Sequence, residues 1–422
     1  MSGAAPAHPA AWKWWICGLL LFASAINYMD RQTLSNAAVR ITSEFHLTQE
    51  QYGTLELAFG WAFAAGSLCF GILADRISVR WLYPIVLVAW SMVGFATGLV
   101  RNYDQLLWCR FFLGLFEAAH WPCALKTTQK LLAPEQRTMG NSVLQSGASI
   151  GAIVTPLLMA AMLRGESGSW RFSFQMIGAV GIVWIFFWFA LVRKDDLNLN
   201  PASAAADASG SRSDRFRKII FCRQFLALLI MVALINTSWQ LLRAWLPKFM
   251  QEGRGYAEAQ ALQFNALYYV ATDVGCIGAG ALTLWFHRRG LSVHRSRATV
   301  YLCCALLTAA TALLSFLPQG PALLAVLLLV GMGALGVFPC YYAWSQELST
   351  QHQGKVTGIT GVAAWIFSAP AHKLFGRLID RTGSFDLGLA IAGLLPLMAF
   401  IALILLWNGS TRTAPAQTVS AG

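Results

Sequence analysis

Apolar runs recur along the whole chain, and no other feature of the sequence restricts the fold as strongly. Each run is roughly 18–25 residues long, the length that an α-helix needs to cross a hydrocarbon layer about 30 Å thick. Hydrophobic residues make up 57% of the 422 residues and charged residues only 12%, and a water-soluble protein of this length would need more polar surface. We therefore predict an all-α integral membrane protein that crosses the bilayer many times.

The apolar runs define twelve candidate spans. They are Trp14–Asn36, Tyr52–Leu73, Trp81–Val100, Leu106–Thr128, Met139–Leu163, Phe172–Val192, Phe221–Leu246, Leu262–Phe286, Ala298–Leu317, Ala322–Trp344, Thr357–Phe375 and Leu387–Trp407. One long polar segment, residues 193–218, is rich in Ala, Ser, Asp and Arg. Because such a segment cannot bury apolar surface, we expect a mobile cytoplasmic linker there. The chain thus divides into an N-terminal six-helix bundle (1–192), the linker (193–218) and a C-terminal six-helix bundle (219–422).

The formal net charge is +12, and its distribution indicates membrane topology. By this segmentation roughly 19 of the 31 Lys and Arg residues fall on the side that holds both termini and the linker, about 9 on the other side and about 3 within the membrane. The side richer in positive charge is expected to be cytoplasmic. Contact with anionic lipid explains the charge, and we expect no nucleic-acid partner.

The sequence contains no signature of a metal site or an enzyme. Most of the nine cysteines lie inside apolar segments, and no CxxC pair or Cys/His cluster has the spacing of metal ligands. There is no GxSxG, HExxH or Walker-type loop. We expect neither metal nor cofactor, and a membrane-embedded enzyme is the less favoured alternative. The N-terminus lacks a basic region followed by a cleavage site, so the first apolar segment is expected to remain as a helix.

Small residues form a similar pattern in the fifth and eleventh spans. The pattern consists of Gly140, Gly147, Gly151 and Pro156 in the fifth span and of Gly354, Gly358, Gly361 and Pro370 in the eleventh. Glycine at such spacing lets helices approach closely, and proline permits bending. The pattern is explained either by ordinary helix packing or by an internal repeat that relates the two halves.

Several motifs resemble those of a known family. The loop Gly71-Ile-Leu-Ala-Asp75-Arg76-Ile-Ser-Val-Arg80 resembles the loop signature of the major facilitator superfamily, with Ser78 replacing its internal glycine. The motifs Asn27-Tyr28-Met29-Asp30-Arg31 and Arg110-Phe-Phe-Leu-Gly114-Leu-Phe-Glu117, and in the second half Trp245-Leu-Pro247, Asp273-Val-Gly-Cys-Ile-Gly278 and Gly376-Arg-Leu-Ile-Asp380, are similar to those of its anion:cation symporter family.

This resemblance implies a fold, an activity and a location. It implies two six-helix bundles and a bacterial inner-membrane protein that imports a small organic anion, such as a sugar acid, together with protons. Asp75 and Arg76 would form a cytoplasmic latch between the bundles. The loop Phe286-His-Arg-Arg-Gly290 after the eighth span lacks the Asp, which argues against a symmetrical second latch. We expect a monomer.

Four of the charged residues inside predicted spans are the most informative, because a lone charge at mid-bilayer costs about 2.5–3.5 kcal/mol even on insertion scales. They are Asp30, Arg31, Arg110 and Glu117, and their charges sum to zero, so they could compensate one another as two pairs. Asp30 and Arg31 are adjacent and diverge by about 100° around their helix, so one can face a cavity and the other a neighbouring helix. Arg110 and Glu117 are seven residues apart on one helix face, about 10 Å along the axis.

The two kinds of charge suit different tasks. Arginine stays protonated and its planar fork matches a carboxylate, so Arg31 and Arg110 are candidate ligands for the substrate anion. A carboxylic acid in a low-dielectric site can load and release a proton as access alternates, which makes Asp30 and Glu117 the proton candidates. Protonation of both acids would leave two arginines uncompensated and attract the anion. The alternative is a static network that only pins two helices.

Other residues are secondary candidates. Tyr28 resembles a substrate contact of the family, and Gln145 could bond a substrate hydroxyl. Trp365 could stack on the substrate or only pack between helices. Arg243 is either a third anion contact or an interfacial side chain whose charged end reaches the membrane surface.

Four further residues are given structural interpretations first. Asp273 is expected to cap a helix, to form a local pair or to take part in transport. His120 and His372 are interpreted as structural rather than as ligands, and Glu56 is expected to be solvated near the outer end of the second span.

Two other transport-related functions are weighed against anion:proton symport. Antiporters of the superfamily that export drugs or metabolites carry a longer glycine–proline signature on the fifth span, and Gly147, Gly151 and Pro156 match it poorly. A non-transporting receptor built on the same fold would be indicated by loss of the intramembrane acids, and here the acids are present.

Overall fold

The computed structural model of the protein describes residues 11–132, 134–163, 167–193, 196–197, 220–348 and 353–407. Within those ranges all regular structure is helical, which confirms the all-α fold class. The predicted linker lies outside the described residues apart from Arg193, Asp196 and Leu197, so its character and the exact domain boundaries stay predictions.

The helices before the linker form one bundle. They are α1 (Trp12–Asn36), α2 (Ala38–Glu44), α3 (Gln49–Arg76), α4 (Val79–Thr97), α5 (Tyr103–Glu117), α6 (His120–Leu131), α7 (Pro134–Met162) and α8 (Trp170–Leu191), with a 3-10 turn at Ser167–Ser169 before α8. Within the bundle α1 packs on α7, α3 on α5 and α4 on α8. The predicted fourth span is divided, because the helix is interrupted at Ala118 and Ala119 directly after Glu117.

The helices after the linker form the second bundle. They are α9 (Arg223–Lys248), α10 (Glu258–Arg288), α11 (Val293–Ala309), α12 (Pro321–Leu348), α13 (Gln353–Thr382) and α14 (Asp386–Leu406). A π-helical turn, Phe249–Gly253, continues α9, and a 3-10 segment, Ala310–Phe316, continues α11. With α5 and α6 counted as one broken span and the seven-residue α2 set aside, these elements correspond to the twelve predicted spans.

Hydropathy alone does not identify all twelve. Among the described residues, nine helical segments are both long and apolar enough to cross a membrane by themselves. The exceptions are α1 and α13, which carry polar and charged residues within the span, and the α5–α6 pair, whose helices are only 15 and 12 residues long. These are the elements that bear most of the candidate site residues, and their polar residues must therefore be accommodated inside the protein.

The two bundles meet along a seam formed mainly by α3 against α13 and by α7 against α10. We call the side that holds the start of α3 and the end of α13 the closed side. There a Cβ added to Gly53 would lie 2.2 Å from the carbonyl oxygen of His372, and one added to Gly376 would lie 2.1 Å from that of Gln49. Only glycine lets the two backbones come so close.

Polar contacts reinforce the closed side. The amide nitrogens of Gln49 and Glu50, in the first turn of α3, donate to the Asp380 carboxylate of α13 over 2.8 and 2.7 Å. Arg40 of α2 pairs with Glu258 of α10 at 2.6 Å. The carboxylate of one bundle thus caps a helix of the other, where the backbone N–H groups have no intrahelical partner.

The opposite side of the seam, which holds the start of α1 and the end of α14, is the open side. Gly358 and Gly361 lie on the α13 face that also bears Trp365 and Ala369, yet a Cβ at either glycine would meet no described atom within 4 Å. In the fifth span, by contrast, a Cβ at Gly147 would lie 2.1 Å from the Leu21 carbonyl oxygen. Close helix packing therefore explains the glycines of the fifth span, whereas Gly358 and Gly361 in the eleventh make no such contact with described residues.

Candidate functional site

Asp30 and Arg31 point to different neighbours, as their adjacency on α1 predicts. Asp30 is 1% exposed, and its Oδ1 lies 3.0 Å from where a Cβ would be at Gly94 of α4. Within the described part of the chain neither of its carboxylate oxygens has a hydrogen-bond partner. Asp30 therefore faces a neighbouring helix, and no cation among the described residues is hydrogen-bonded to its buried carboxyl.

Arg31 is held by one acid and by aromatic rings. Its Nε donates to Glu117 Oε2 over 2.7 Å, and both side chains are buried. Four rings surround its guanidinium carbon at 4.7–5.8 Å from their centroids: those of Tyr28, Phe59, Phe63 and Trp365. Rings at this distance attract a cation through their electron-rich faces. Trp365 belongs to the second bundle, so the cage closes across the seam.

The second arginine forms a bridge that the sequence did not predict. Glu56 Oε1 lies 3.4 Å from Arg110 Nη2, and Glu56 Oε2 accepts from Arg243 Nη2 over 2.7 Å. Glu56 is 1% exposed, so the expectation of a solvated residue is wrong. Arg243 is equally buried, which excludes the interfacial interpretation, and Gln240 also accepts from its Nε at 2.7 Å. Of the two predicted pairs among the first four charges, only Arg31 with Glu117 forms.

Local packing explains why these side chains meet. Gly114 lies between Arg110 and Glu117 on α5, and a Cβ there would be 2.3 Å from the Phe59 carbonyl oxygen of α3. The close approach lets α5 extend both charged side chains toward the seam. Phe59 lies between the two arginines, 5.3 Å from the guanidinium carbon of Arg31 and 4.5 Å from that of Arg110.

Contacts between α3 and α9 place Glu56 opposite Arg243. The Tyr52 hydroxyl donates to the Ala244 carbonyl over 3.0 Å, and its ring packs edge-on against Trp245 at 4.8 Å. Because Glu56 lies one helical turn after Tyr52, this contact brings the carboxylate opposite Arg243. Trp245 Nε1 also bonds to His372 Nδ1 at 3.2 Å, so His372 has a structural partner on α9.

The buried arginines retain hydrogen-bonding capacity. Among the described residues, no partner is found for one nitrogen of Arg31, two of Arg110 and one of Arg243: Arg31 Nη2, Arg110 Nε and Nη1, and Arg243 Nη1. Glu117 Oε1 is likewise without a partner there. Such groups are costly to bury unless something else satisfies them. These N–H groups are donors that a further hydrogen-bond acceptor at the seam would satisfy.

The remaining candidates surround this cluster to different degrees. Tyr28 is half-buried at the edge of the cage, whereas Trp365 is 9% exposed and packs against Phe63 at 4.9 Å. Gln145 is exposed on α7. Asp273 of α10 accepts from Ser149 Oγ of α7 over 2.9 Å, so its partner lies in the other bundle and is not local.

His120 is explained by packing alone. Its two ring nitrogens are hydrogen-bonded to Ser24 Oγ at 2.9 Å and to the Tyr83 hydroxyl at 2.8 Å. The ring is fully buried within the first bundle. Both nitrogens are thus engaged by the protein, in agreement with the structural interpretation of this histidine.

The candidate latch is described only in part. Arg76 is the exposed last residue of α3, and the side chain of Asp75 lies outside the described residues. In the described ranges no group of three or more His, Cys, Asp or Glu side chains is arranged to hold a metal ion. The latch stays a prediction.

The family follows from comparison with known proteins. A profile described as Major Facilitator Superfamily matches residues 20–369. The chain belongs to this superfamily. A protein of Escherichia coli K12 named as a probable L-galactonate transporter is 26% identical over 401 residues, covering 92% of this chain and 88% of its own. The hexuronate transporter of the same strain is 23% identical over 384 residues, covering 88% of each chain. A probable sulfoacetate transporter of Cupriavidus necator is 26% identical over 396 residues, covering 90% of each.

Solved structures of this superfamily agree with the fold. A bacterial homolog of the human lysosomal transporter Spinster gives a TM-score of 0.80 at 14% identity, with 95% of this chain and 98% of that chain covered. A D-xylose–proton symporter gives 0.77 at 13% identity, with 94% and 97% covered. At these identities the likeness concerns the fold alone. The predicted superfamily is confirmed, and the names of the relatives agree with the motifs of the anion:cation symporter family.

Proposed function

We propose that this protein is a secondary active transporter that imports a small organic anion, a sugar acid or related carboxylate, by proton symport. One observation carries the proposal: arginines from three helices and both bundles converge at the seam with buried N–H groups that no described residue satisfies. A carboxylate fits that need, because guanidinium groups bind carboxylates through paired hydrogen bonds. The sugar-acid names of several relatives support this substrate class.

In this proposal the substrate carboxylate binds Arg31, Arg110 and Arg243. Tyr28 and Trp365, which already flank Arg31, would contact the carbon chain of the substrate. Gln145 would bond a hydroxyl group from the open side. A site of this kind combines charge for affinity with aromatic and amide groups for orientation.

Asp30 and Glu117 would carry the protons. With all acids ionised, three carboxylates balance three guanidinium groups and the cluster is formally neutral. Protonation of Asp30 and Glu117 leaves two positive charges in excess and releases Arg31 from its partner. Anion binding and proton binding would then favour each other, and this linkage is reciprocal. Protonation of Asp30 costs less free energy than protonation of Glu117, because no described cation pairs with Asp30.

Alternating access would move the opening from one side of the seam to the other. The open side would face the cytoplasm, together with both termini, in a bacterial inner membrane. Asp75 and Arg76 would latch that side when the closed side opens. A monomer is sufficient for this cycle, because the two bundles supply both halves of the site.

Uptake into proteoliposomes tests the function. Purified protein, with the vesicle interior at pH 7.5 and the exterior at pH 6.0, is expected to accumulate one of radiolabelled D-galacturonate, D-galactonate or L-galactonate above equilibrium. Glu117→Gln should abolish accumulation and keep substrate exchange, because the isosteric amide cannot release a proton. Glu44→Gln is the matched control, since Glu44 pairs with Arg171 at 2.6 Å outside the site.

Two results would contradict the proposal. If Glu117→Gln still accumulates substrate against its gradient, Glu117 does not couple protons. If the wild-type protein accumulates these acids only in vesicles whose interior is more acidic than the exterior, it exchanges the acid for protons. It is then an antiporter that exports the acids.

A further inference from the structure

Glu56 occupies the position in which an external carboxylate would be expected. Its two oxygens lie 3.4 Å from Arg110 Nη2 and 2.7 Å from Arg243 Nη2. The two guanidinium groups come from opposite bundles, α5 and α9. One carboxylate held by two arginines across the seam is also the arrangement that a bound anion would adopt.

Burial makes this contact exclusive. Glu56, Arg110 and Arg243 are exposed by 1%, 0% and 2%, so solvent does not screen their charges in this state. If the Glu56 side chain moved away, Arg110 and Arg243 would lose the counter-ion that they share. The two guanidinium groups would then repel each other strongly, because like charges are poorly screened in a low-dielectric site. An incoming anion would relieve that repulsion.

We propose that Glu56 is an internal counter-ion that competes with the substrate carboxylate for Arg110 and Arg243. This inference rests on the proposed function for the identity of the substrate, but the anion site itself does not depend on it. Glu56 thereby sets the affinity of the protein for the anion. In the substrate-free protein Glu56 holds the two bundles together, and a bound anion replaces it at one or both arginines.

Chemical rescue tests the anion site without any assumption about the transported substrate. Glu56→Ala removes the carboxylate and leaves space between the two arginines. Sodium acetate at millimolar concentration is expected to raise the apparent melting temperature of purified Glu56→Ala by several degrees, relative to the same concentration of sodium chloride. Wild type and Glu50→Ala should not respond, because Glu50 pairs with Arg377 outside the buried cluster. Absence of a response in a folded Glu56→Ala protein would overturn the proposal.

Competition is measured with a variant that keeps the shape of the side chain. Glu56→Gln is expected to bind D-galacturonate about tenfold more tightly than wild type in calorimetry, whereas Glu50→Gln should bind as wild type does. Equal or weaker binding by Glu56→Gln would show that Glu56 supports the arginines instead of competing for them, and would overturn the proposal. Where Glu56→Ala does not fold, this comparison decides.

The two proposals fail differently. If neither wild type nor Glu56→Gln binds D-galacturonate, D-galactonate or L-galactonate, the substrate class of the proposed function is wrong. The Glu56 proposal is then judged on acetate binding to Glu56→Ala, or to Glu56→Gln if Glu56→Ala is unstable. Acetate binding to the variant and not to wild type supports the proposal. Absence of binding to both proteins overturns it.

Discussion

Glu50 and Glu56 lie six residues apart on α3, and each reaches an arginine of the other bundle. Glu50 pairs with Arg377 at 2.7 Å near the closed surface, where the two side chains are 30% and 44% exposed. Glu56 pairs with Arg243 at the same distance, where both are almost completely buried. The same shortest distance therefore occurs in two different dielectric environments.

The difference shows that distance alone does not determine how much an ion pair contributes to stability. At the surface, water and salt screen the charges, and the attraction barely exceeds the cost of ordering two long side chains. In the buried seam, the pair itself offsets the cost of desolvation, and removal of one partner leaves a charge that nothing stabilises. We expect the closed surface to tolerate change and the buried bridge not to.

Arg243→Met should have the largest effect. Among the described residues it leaves Glu56 with the longer contact to Arg110 alone, and loss of one partner of a buried pair costs about 3–5 kcal/mol. The apparent melting temperature in detergent should fall strongly and transport should be lost. Arg254→Met is the control, because Arg254 pairs with Asp386 within the second bundle at 2.6 Å in a half-buried position. A smaller effect for Arg243→Met than for the control would break the comparison.

Gly53→Ala should have the next largest effect, because the new methyl group would lie 2.2 Å from a backbone oxygen of α13. Relief of such an overlap requires the helices to separate, at about 1–3 kcal/mol. Gly358→Ala on the open side meets no described atom within 4 Å and should be neutral or slightly stabilising. Melting curves of the two variants check this, and equal destabilisation would show that α3 and α13 do not diverge toward the open side.

Asp380→Asn should weaken the closed side moderately. The change removes a negative charge from the first turn of α3, where the unpaired N–H groups favour an anion by about 0.3–1 kcal/mol. Asp104→Asn removes a similar charge from the first turn of α5 without affecting the other bundle. Only Asp380→Asn should increase the reactivity of a cysteine placed at Lys373, which lies 3.7 Å from Glu50 across the seam, toward a membrane-impermeant maleimide, assayed in a background that lacks the native cysteines. Identical labelling of both variants would argue against a cross-bundle cap.

Glu50→Gln should have the smallest effect. Its melting temperature at 150 mM salt should agree with that of wild type within repeat error, and a small decrease should emerge only at low salt, where screening is weaker. A decrease at 150 mM salt as large as that of Glu56→Gln would remove the contrast between the surface and the buried seam.

The sequence by itself determined the class of the fold, the twelve spans and most of the charged residues in the site. Apolar length and charge within a span are local properties, and each can be read from about 25 consecutive residues. Adjacency on α1 was enough to predict that Asp30 and Arg31 diverge, because the helical repeat fixes the angle between neighbours. The motif that contains Arg110 and Glu117 indicated the family, because it is a contiguous stretch of the sequence.

Only the tertiary structure decided which charges meet. Glu56 and Arg243 are 187 residues apart in the chain, and no periodicity relates positions in different bundles. Counting from the start of α3 places Glu56 near a helix end, but α9 and α13 of the other bundle cover that end and bury it. The partner of a buried charge depends on which helices pack together and how deeply, and these are properties of the assembled seam and not of any single span.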